Sequence, residues 1–242
     1  MPMPPRPKPQ LVLFPGLGAT CELMQPQLEA FEGEVLCPDW IDPIDRGEPL
    51  DHYAHRLSIE LAPKLDAERP RFLGGVSFGG ILAQELARFL PCRAVLVIAS
   101  VRSSYAVPGR VRTLARMESV LPGAIMPVTI RLGDALLGMA LGLEREQYRL
   151  FRRSTVQGPR HVRAWAERAL AGWRSTGVQE GSQPPVHQIH GSDDAIFPLD
   201  LQRGVPDVVI PGGHHLIQLS HAERVNHFLR ERMTYYTAGR EE

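Results

Sequence analysis

The sequence predicts a single α/β domain built on a parallel sheet with helices on both faces. Short apolar runs alternate with helical patterns along the chain, which is typical of strands joined by crossover helices. The runs are apolar at consecutive positions, as in strands buried on both faces of a sheet. A length of 242 residues is sufficient for one such domain with a full core. We therefore expect six parallel strands with right-handed crossovers.

The predicted elements follow in chain order. The strands are apolar runs at 11–14, 34–37, 71–76, 94–99, 185–190 and 206–210. Helical spacing of apolar residues predicts helices at 21–31, 50–62, 78–90 and 220–232. The stretch HVRAWAERALAGW, residues 161–173, has the same spacing and is expected to be the crossover helix that leads into the fifth strand.

The connection between the fourth and fifth strands is unusually long. About 85 residues separate them, far more than one crossover helix needs. Apolar and mixed helical stretches bounded by prolines occupy residues 104–157, so we expect a helical lid inserted there. Residues 1–9 are proline-rich without an apolar signal-peptide core, and are expected to be a disordered leader to a single domain at 10–242.

Composition argues against several classes of protein. Lys and Arg number 27, as do Asp and Glu, so no excess of positive charge indicates a nucleic-acid partner. No segment approaches the run of about 18 apolar residues that spans a membrane. The three cysteines, Cys21, Cys37 and Cys92, are too few and scattered for a disulfide framework or a zinc site. A reducing cytoplasm fits this pattern best.

The stretch GGVSFGG, residues 74–80, joins a predicted strand to a predicted helix. In that setting a GxSxG motif forms a sharp elbow that strains the serine backbone and exposes its hydroxyl above the sheet. Gly75 and Gly79 lie two residues to either side of Ser77, where side chains would collide across the turn. We interpret Ser77 as a nucleophile.

A serine nucleophile needs a base, and the base needs an orienting acid. His214 follows a Gly-Gly turn after the last strand and is the predicted base, with His215 as its competitor. Asp194 follows the fifth strand and is the predicted acid, while Asp193 would be a turn residue or a solvated neighbour. Paired carboxylates can also bind a metal, but no second cluster of ligands accompanies them.

An oxyanion must be stabilised by N–H donors aimed at it. Phe78 lies at a helix N-terminus directly after the nucleophile, and Leu17 lies in the loop after the first strand, so their backbone N–H groups are the predicted donors. The GLG of that loop could instead begin a dinucleotide fingerprint, but Cys21 occupies the place of the third glycine.

Four motifs together resemble the α/β-hydrolase superfamily: FPGLG, GVSFG, GSDDAIFP and GGHH. The resemblance covers the chain from about residue 10 and implies an α/β-hydrolase fold. It also implies a nucleophile, an acid and a base at Ser77, Asp194 and His214, in the order usual for that fold. The first strand begins too early for the family's leading antiparallel hairpin, so we expect a reduced, six-stranded, mainly parallel sheet. Valine before the serine, and FPG in the first loop, depart from many relatives.

The predicted function is that of a serine hydrolase, most simply a carboxylesterase acting without a cofactor or metal on a small or medium apolar acyl ester. A thioesterase or carbon–carbon bond hydrolase would use the same residues, and a non-catalytic receptor would keep the pocket without turnover. The apolar residues that could form an acyl pocket, or equally pack on the sheet, are Leu17, Phe78, Met117, Met126, Leu136, Met139 and Phe197.

Overall fold

The computed structural model describes residues 7–120, 141–174, 184–202 and 204–238. Its six strands are β1 (Gln10–Phe14), β2 (Val35–Leu36), β3 (Arg71–Val76), β4 (Val95–Ile98), β5 (Val186–Gly191) and β6 (Val208–Ile210). They form one sheet in the order β2-β1-β3-β4-β5-β6, and every neighbouring pair is parallel. The predicted six-stranded parallel sheet is confirmed.

Strand register brings the chemistry-bearing loops to one edge of this sheet. Phe14 pairs with Gly75, Ile98 pairs with both Val76 and Ile189, and Gly191 pairs with Ile210. The carboxyl ends of β1, β3, β4, β5 and β6 are therefore level. Loops that follow parallel strands in open α/β sheets form the ligand site at this edge.

Eight helices lie in the described part of the chain. They are α1 (Gln25–Ala30), α2 (Leu50–Leu61), α3 (Phe78–Leu86), α4 (Gly109–Val120), α5 (Arg145–Gln157), α6 (Arg160–Gly172), α7 (Ile217–Ser220) and α8 (Ala222–Thr237). Short 3-10 turns occur at Cys21–Met24, Ala62–Lys64, Ser104–Ala106 and Leu199–Leu201. No helix among these residues is long and apolar enough to cross a membrane.

Both faces of the sheet are covered, which explains why the strands are apolar at consecutive positions. Val12 and Phe14 of β1 pack into a core with α2, α3 and α6, while Leu11 and Leu13 pack into a second core with α1 and α8. Successive strand residues point to opposite faces. Every residue of the β1 run is therefore buried, and consecutive residues are buried on opposite faces of the sheet.

The region predicted as a lid contains α4 and α5, and residues 121–140 lie outside the described residues. The lid therefore stays a prediction. The crossover helix predicted at 161–173 is α6, whose Val162, Trp165 and Ala166 are fully buried against the sheet. Most of the predicted leader, residues 1–6 of 1–9, also lies outside the described part of the chain.

One expectation about the cysteines is wrong. Cys21, in the turn after the first loop, and Cys37, after β2, form a disulfide. Sixteen positions separate them in sequence, and the sequence carries no signal that β2 would bring the end of its strand beside that turn. Cys92 is a free thiol, and its partial burial raises the pKa of this group to about 12.

Candidate active site

Ser77 lies at a sharp elbow between β3 and α3. Its backbone φ of 54° and ψ of −122° place it in a region that residues with a side chain rarely adopt. A Cβ built on Gly75 would lie 2.3 Å from the carbonyl carbon of Gly79, and one built on Gly79 would lie 2.3 Å from the carbonyl oxygen of Pro15. Glycine is thus needed at both positions because the turn is tight and lies against the end of β1.

A chain of hydrogen bonds joins three side chains from three loops. His215 Nε2 lies 2.9 Å from Ser77 Oγ, and His215 Nδ1 lies 2.8 Å from Asp194 Oδ2. A carboxylate can only accept, so Nδ1 carries the proton and Nε2 is free to accept from the serine hydroxyl. The ring of Phe197 packs edge-on against His215 at a centroid distance of 5.6 Å. This arrangement can remove a proton from Ser77.

The structure corrects the predicted base, since His215 and not His214 occupies this position. The turn after β6 continues through Gly213, whose N–H donates to Ile210 and whose carbonyl accepts from Asp193. The ring of His214 lies instead against Gly142, where an added Cβ would lie 2.3 Å from its Cδ2. His215 turns inward and is 8% exposed. The sequence allowed either histidine to be the base, and only the length of the turn after β6 decides which of them reaches Ser77.

Asp194 is fully enclosed and held from three directions. Its Oδ1 accepts from the backbone N–H groups of Ile196 and Phe197 at 2.8 and 2.9 Å, while Oδ2 accepts from His215. Burial acts to raise the pKa of Asp194, but the charge and hydrogen bonds of His215 and the Phe197 amide outweigh it, so the pKa lies below its ordinary value. Asp193 is exposed and accepts from Ser192.

The two predicted oxyanion donors are the backbone N–H groups of Leu17 and Phe78. Within the described residues, neither Leu17 N–H nor Phe78 N–H has a hydrogen-bond acceptor. A Cβ built on Gly16 would lie 3.8 Å from Ser77 Cβ, so the loop of residues 16–20, here called the oxyanion loop, lies against the serine. Trp40 donates its indole N–H to Ala19 O of this loop at 2.7 Å.

The predicted acyl-pocket residues do not all face one cavity. Phe78 and Phe197 are each 1% exposed and belong to the core, where Phe78 stacks with Trp40 at 6.2 Å. Met117 of α4 is 54% exposed, and Leu17 is half-buried. Met126, Leu136 and Met139 lie outside the described residues. A cavity of about 230 Å³ beside the oxyanion loop is lined by Pro15, Ala19, Thr20, Cys21, Pro38, Asp39, Trp40 and Pro159.

Three buried polar side chains lie behind this site and are not among the residues predicted for it from the sequence. They are Ser100 after β4, and Gln188 and His190 of β5, each no more than 1% exposed. A polar residue at alternate positions of a predicted buried strand was the available signal for Gln188 and His190. In the ranges described, no group of three or more His, Cys, Asp or Glu side chains could hold a metal ion.

Comparisons with known proteins agree with this fold. The sequence profile of the alpha/beta hydrolase family matches residues 11–228. A poly(3-hydroxyalkanoate) depolymerase from Ectopseudomonas oleovorans is 26% identical over 230 residues, which cover 89% of this chain and 81% of the relative.

Solved structures share the fold at lower identity. A thermophilic esterase from Thermogutta terrifontis superposes with a TM-score of 0.71 at 21% identity, over 96% of this chain and 91% of the esterase. The type II thioesterase BorB from the borrelidin biosynthetic cluster superposes with a TM-score of 0.60 at 20% identity, over 96% of this chain and 92% of the thioesterase.

Proposed function

Since the chain belongs to the alpha/beta hydrolase family, we propose that it is a serine hydrolase that cleaves carboxylic esters through an acyl-enzyme. The observation that carries this proposal is the hydrogen-bonded chain from Ser77 through His215 to Asp194. It lies at the carboxyl edge of the sheet, at a strained elbow beside free backbone N–H groups. In this assignment Ser77 is the nucleophile, His215 the base and Asp194 the orienting acid.

The first half of the reaction forms the acyl-enzyme. Ser77 Oγ attacks the ester carbonyl carbon while His215 Nε2 takes the hydroxyl proton, and the carbonyl electron pair moves onto oxygen. Asp194 stabilises the imidazolium that results, because its lowered pKa keeps it ionised. Collapse of the intermediate expels the alcohol, which leaves with the proton from His215.

The second half releases the acid. Water attacks the acyl carbon as His215 takes its proton, and the proton returns to Ser77 Oγ when the carboxylic acid leaves. The Leu17 and Phe78 N–H groups stabilise the oxyanion in both halves. Loss of one such donor typically costs about 2.7 to 4 kcal/mol of barrier lowering.

The apolar surroundings and the relatives support the proposed substrate class. Trp40, Pro15 and Ala19 line the cavity beside the oxyanion loop, which suits an acyl or alcohol group of small or medium size. The Ectopseudomonas oleovorans relative is a poly(3-hydroxyalkanoate) depolymerase, so esters of 3-hydroxy acids are candidates beside simple alkyl esters. None of the proposed steps calls for a cofactor, a nucleic acid or a membrane.

A thioester is the second candidate, because the same residues can attack a thioester carbonyl and a relative by fold is a type II thioesterase. A panel of p-nitrophenyl esters, 3-hydroxyacyl esters and acyl thioesters of matched chain length separates the two. We expect turnover of the oxygen esters with the higher kcat/KM, abolished in Ser77→Ala. Turnover of thioesters alone would reassign the substrate, and turnover that survives in Ser77→Ala would refute the mechanism.

The disulfide bears on where the enzyme works. The predicted cytoplasmic location depended on unpaired cysteines, and the Cys21–Cys37 bond removes that argument because disulfides persist in oxidising compartments. Alkylating free thiols in intact cells before lysis would show whether these two cysteines are paired where the protein resides.

A further inference from the structure

A closed ring of hydrogen bonds runs behind the proposed catalytic residues. Ser100 Oγ donates to the backbone carbonyl of Ser77 at 2.6 Å, and Gln188 Nε2 donates to the carbonyl of Ser100 at 2.7 Å. Gln188 Nε2 also lies 3.4 Å from Nδ1 of His190, its neighbour on the same face of β5. The backbone of the nucleophile is therefore linked to His190 through side chains that are almost fully buried.

The other half of the ring runs through the acid loop. His190 Nε2 lies 2.7 Å from Phe197 O, and the N–H of Phe197 donates to Asp194 Oδ1. Asp194 Oδ2 accepts from His215, which returns to Ser77 Oγ. Gln202 gives a second link, because it accepts from Gln188 at 3.1 Å and donates to Phe197 O at 3.3 Å.

The partners of His190 define its protonation state. A carbonyl oxygen can only accept, so Nε2 carries a proton. Gln188 Nε2 has two hydrogens for three acceptors, Ser100 O at 2.7 Å, Gln202 Oε1 at 3.1 Å and His190 Nδ1 at 3.4 Å, so the contact with Nδ1 is the weakest of the three. His190 is fully buried, and burial lowers its pKa despite the nearby charge of Asp194. It is thus a neutral imidazole with one fixed tautomer, which donates in one direction only.

We propose that His190, supported by Gln188 and Ser100, is a positioning residue that holds the acid loop in register with the nucleophile elbow. His190 fixes the Phe197 peptide, whose N–H holds Asp194 and whose ring packs on His215. Ser100 fixes the carbonyl of Ser77 from the other side. A buried network with every member partnered is rigid, and losing one member leaves polar groups unsatisfied. This inference rests on the proposed function.

The test is a pair of substitutions at His190 with a matched control on the same strand. His190→Leu removes the donor, His190→Gln keeps an N–H donor at similar reach, and His187→Gln alters a histidine whose ring, among the described residues, bonds Asp207 and Tyr236. For p-nitrophenyl acetate we expect kcat to fall about 10- to 100-fold in His190→Leu, with KM within about twofold. His190→Gln should recover most of kcat, and His187→Gln should retain it.

A second variant and a spectroscopic readout keep the proposal testable if His190→Leu does not fold. Ser100→Ala should also lower kcat with little change in KM. The low-field proton resonance of His215 Nδ1–H should weaken in Ser100→Ala and persist in His187→Gln. The proposal is wrong if His190→Leu and Ser100→Ala fold and retain the wild-type kcat. It is also wrong if kcat falls as much in His187→Gln as in His190→Leu.

The proposed function can fail separately. If wild-type protein shows no Ser77-dependent turnover, the hydrolase assignment is wrong, while the His215 resonance still reports on the network. If turnover depends on Ser77 but none of the network variants changes kcat or the resonance, only the positioning role fails.

Discussion

At the scale of single residues, the two adjacent carboxylates illustrate how environment assigns a role. Asp194 is buried, accepts three hydrogen bonds and has a lowered pKa, while Asp193 is exposed to solvent. Only a buried carboxylate that is itself held by hydrogen bonds, as Asp194 is, can hold an imidazole in one tautomer. In the proposed mechanism the pair therefore supplies one orienting acid, Asp194, and one surface residue, Asp193.

Substituting the two aspartates separately tests this difference. Asp194→Asn should lower kcat on the order of 10⁴-fold, because an amide can donate to His215 and favour the wrong tautomer. Asp193→Asn should stay within about threefold of wild type. Steady-state hydrolysis of a p-nitrophenyl ester measures both, and equal losses in the two variants would contradict the assignment.

The sequence was informative at some residues of the site and not at others. Ser77 and Asp194 could be placed because each follows a recognisable strand or motif, and both bond the same histidine. The oxyanion role of Leu17 and Phe78 stays a prediction. His214 was the wrong choice of base, since the extent of the Gly213 turn depends on its bonds to Ile210 and Asp193. Such contacts between distant loops leave no local pattern.

At the scale of elements, α5 is a support for the oxyanion loop. Ser154, which is fully buried, accepts from Thr20 N–H at 2.9 Å, lies 2.9 Å from Thr20 Oγ1 and donates to Thr20 O at 3.2 Å. Gln147 of the same helix donates to Leu219 O, in the segment that follows His215. The helix thus contacts both the oxyanion loop and the chain beyond the base.

Ser154→Ala should therefore affect catalysis from outside the site. Losing these bonds loosens the oxyanion loop, and since a net hydrogen bond contributes about 0.5 to 1.5 kcal/mol, we expect kcat to fall up to about 10-fold. Thr155→Ala is the control, because within the described part of the chain that hydroxyl bonds Phe151 O of its own helix. The affinity of a boronic acid inhibitor should fall in parallel with kcat/KM, and unchanged affinity would refute the support role.

The Cys21–Cys37 disulfide is the second contact that holds this region, since Cys21 directly follows the oxyanion loop. A bond that closes a loop of this size stabilises by about 3 kcal/mol in the chain-entropy description. Reductant should lower the Tm of wild-type protein to that of Cys21→Ser/Cys37→Ser, and should leave the Tm of that variant unchanged. If wild-type protein releases two thiols without a change in Tm, the bond does not stabilise the fold.

Helix and strand types were largely predictable, and long-range pairing of cysteines was not. Mainly apolar runs predicted the six strands because both faces of the sheet are covered, although β5 also carries the buried polar residues Gln188 and His190. β2 has only two residues, Val35 and Leu36, and nothing in them indicates that Cys37 would approach Cys21.

At the scale of the whole molecule, a fully buried neutral histidine makes stability depend on pH. The pKa of His190 is lowered from its ordinary 6.5 by burial, so the unfolded chain binds a proton that the folded protein excludes. Its contribution is complete above about pH 6.5 and is lost as pH falls through the folded pKa. The lowered pKa of Asp194 adds a further loss below its ordinary 3.8.

Denaturant unfolding between pH 8 and 5 measures this effect. We expect the free energy of unfolding of wild-type protein to decrease below about pH 6.5, and that of His190→Gln to depend on pH less steeply, since glutamine does not titrate. Parallel profiles for the two proteins would show that His190 does not control the acid sensitivity.

The most direct test of the central claim is the rate of labelling by a fluorophosphonate, with the modified residue mapped by mass spectrometry. We expect one adduct at Ser77, no labelling of Ser77→Ala, slowing on the order of 10³-fold or more in His215→Ala, and near wild-type labelling of His214→Ala. An adduct elsewhere, or a loss of labelling in His214→Ala while His215→Ala reacts normally, would contradict it.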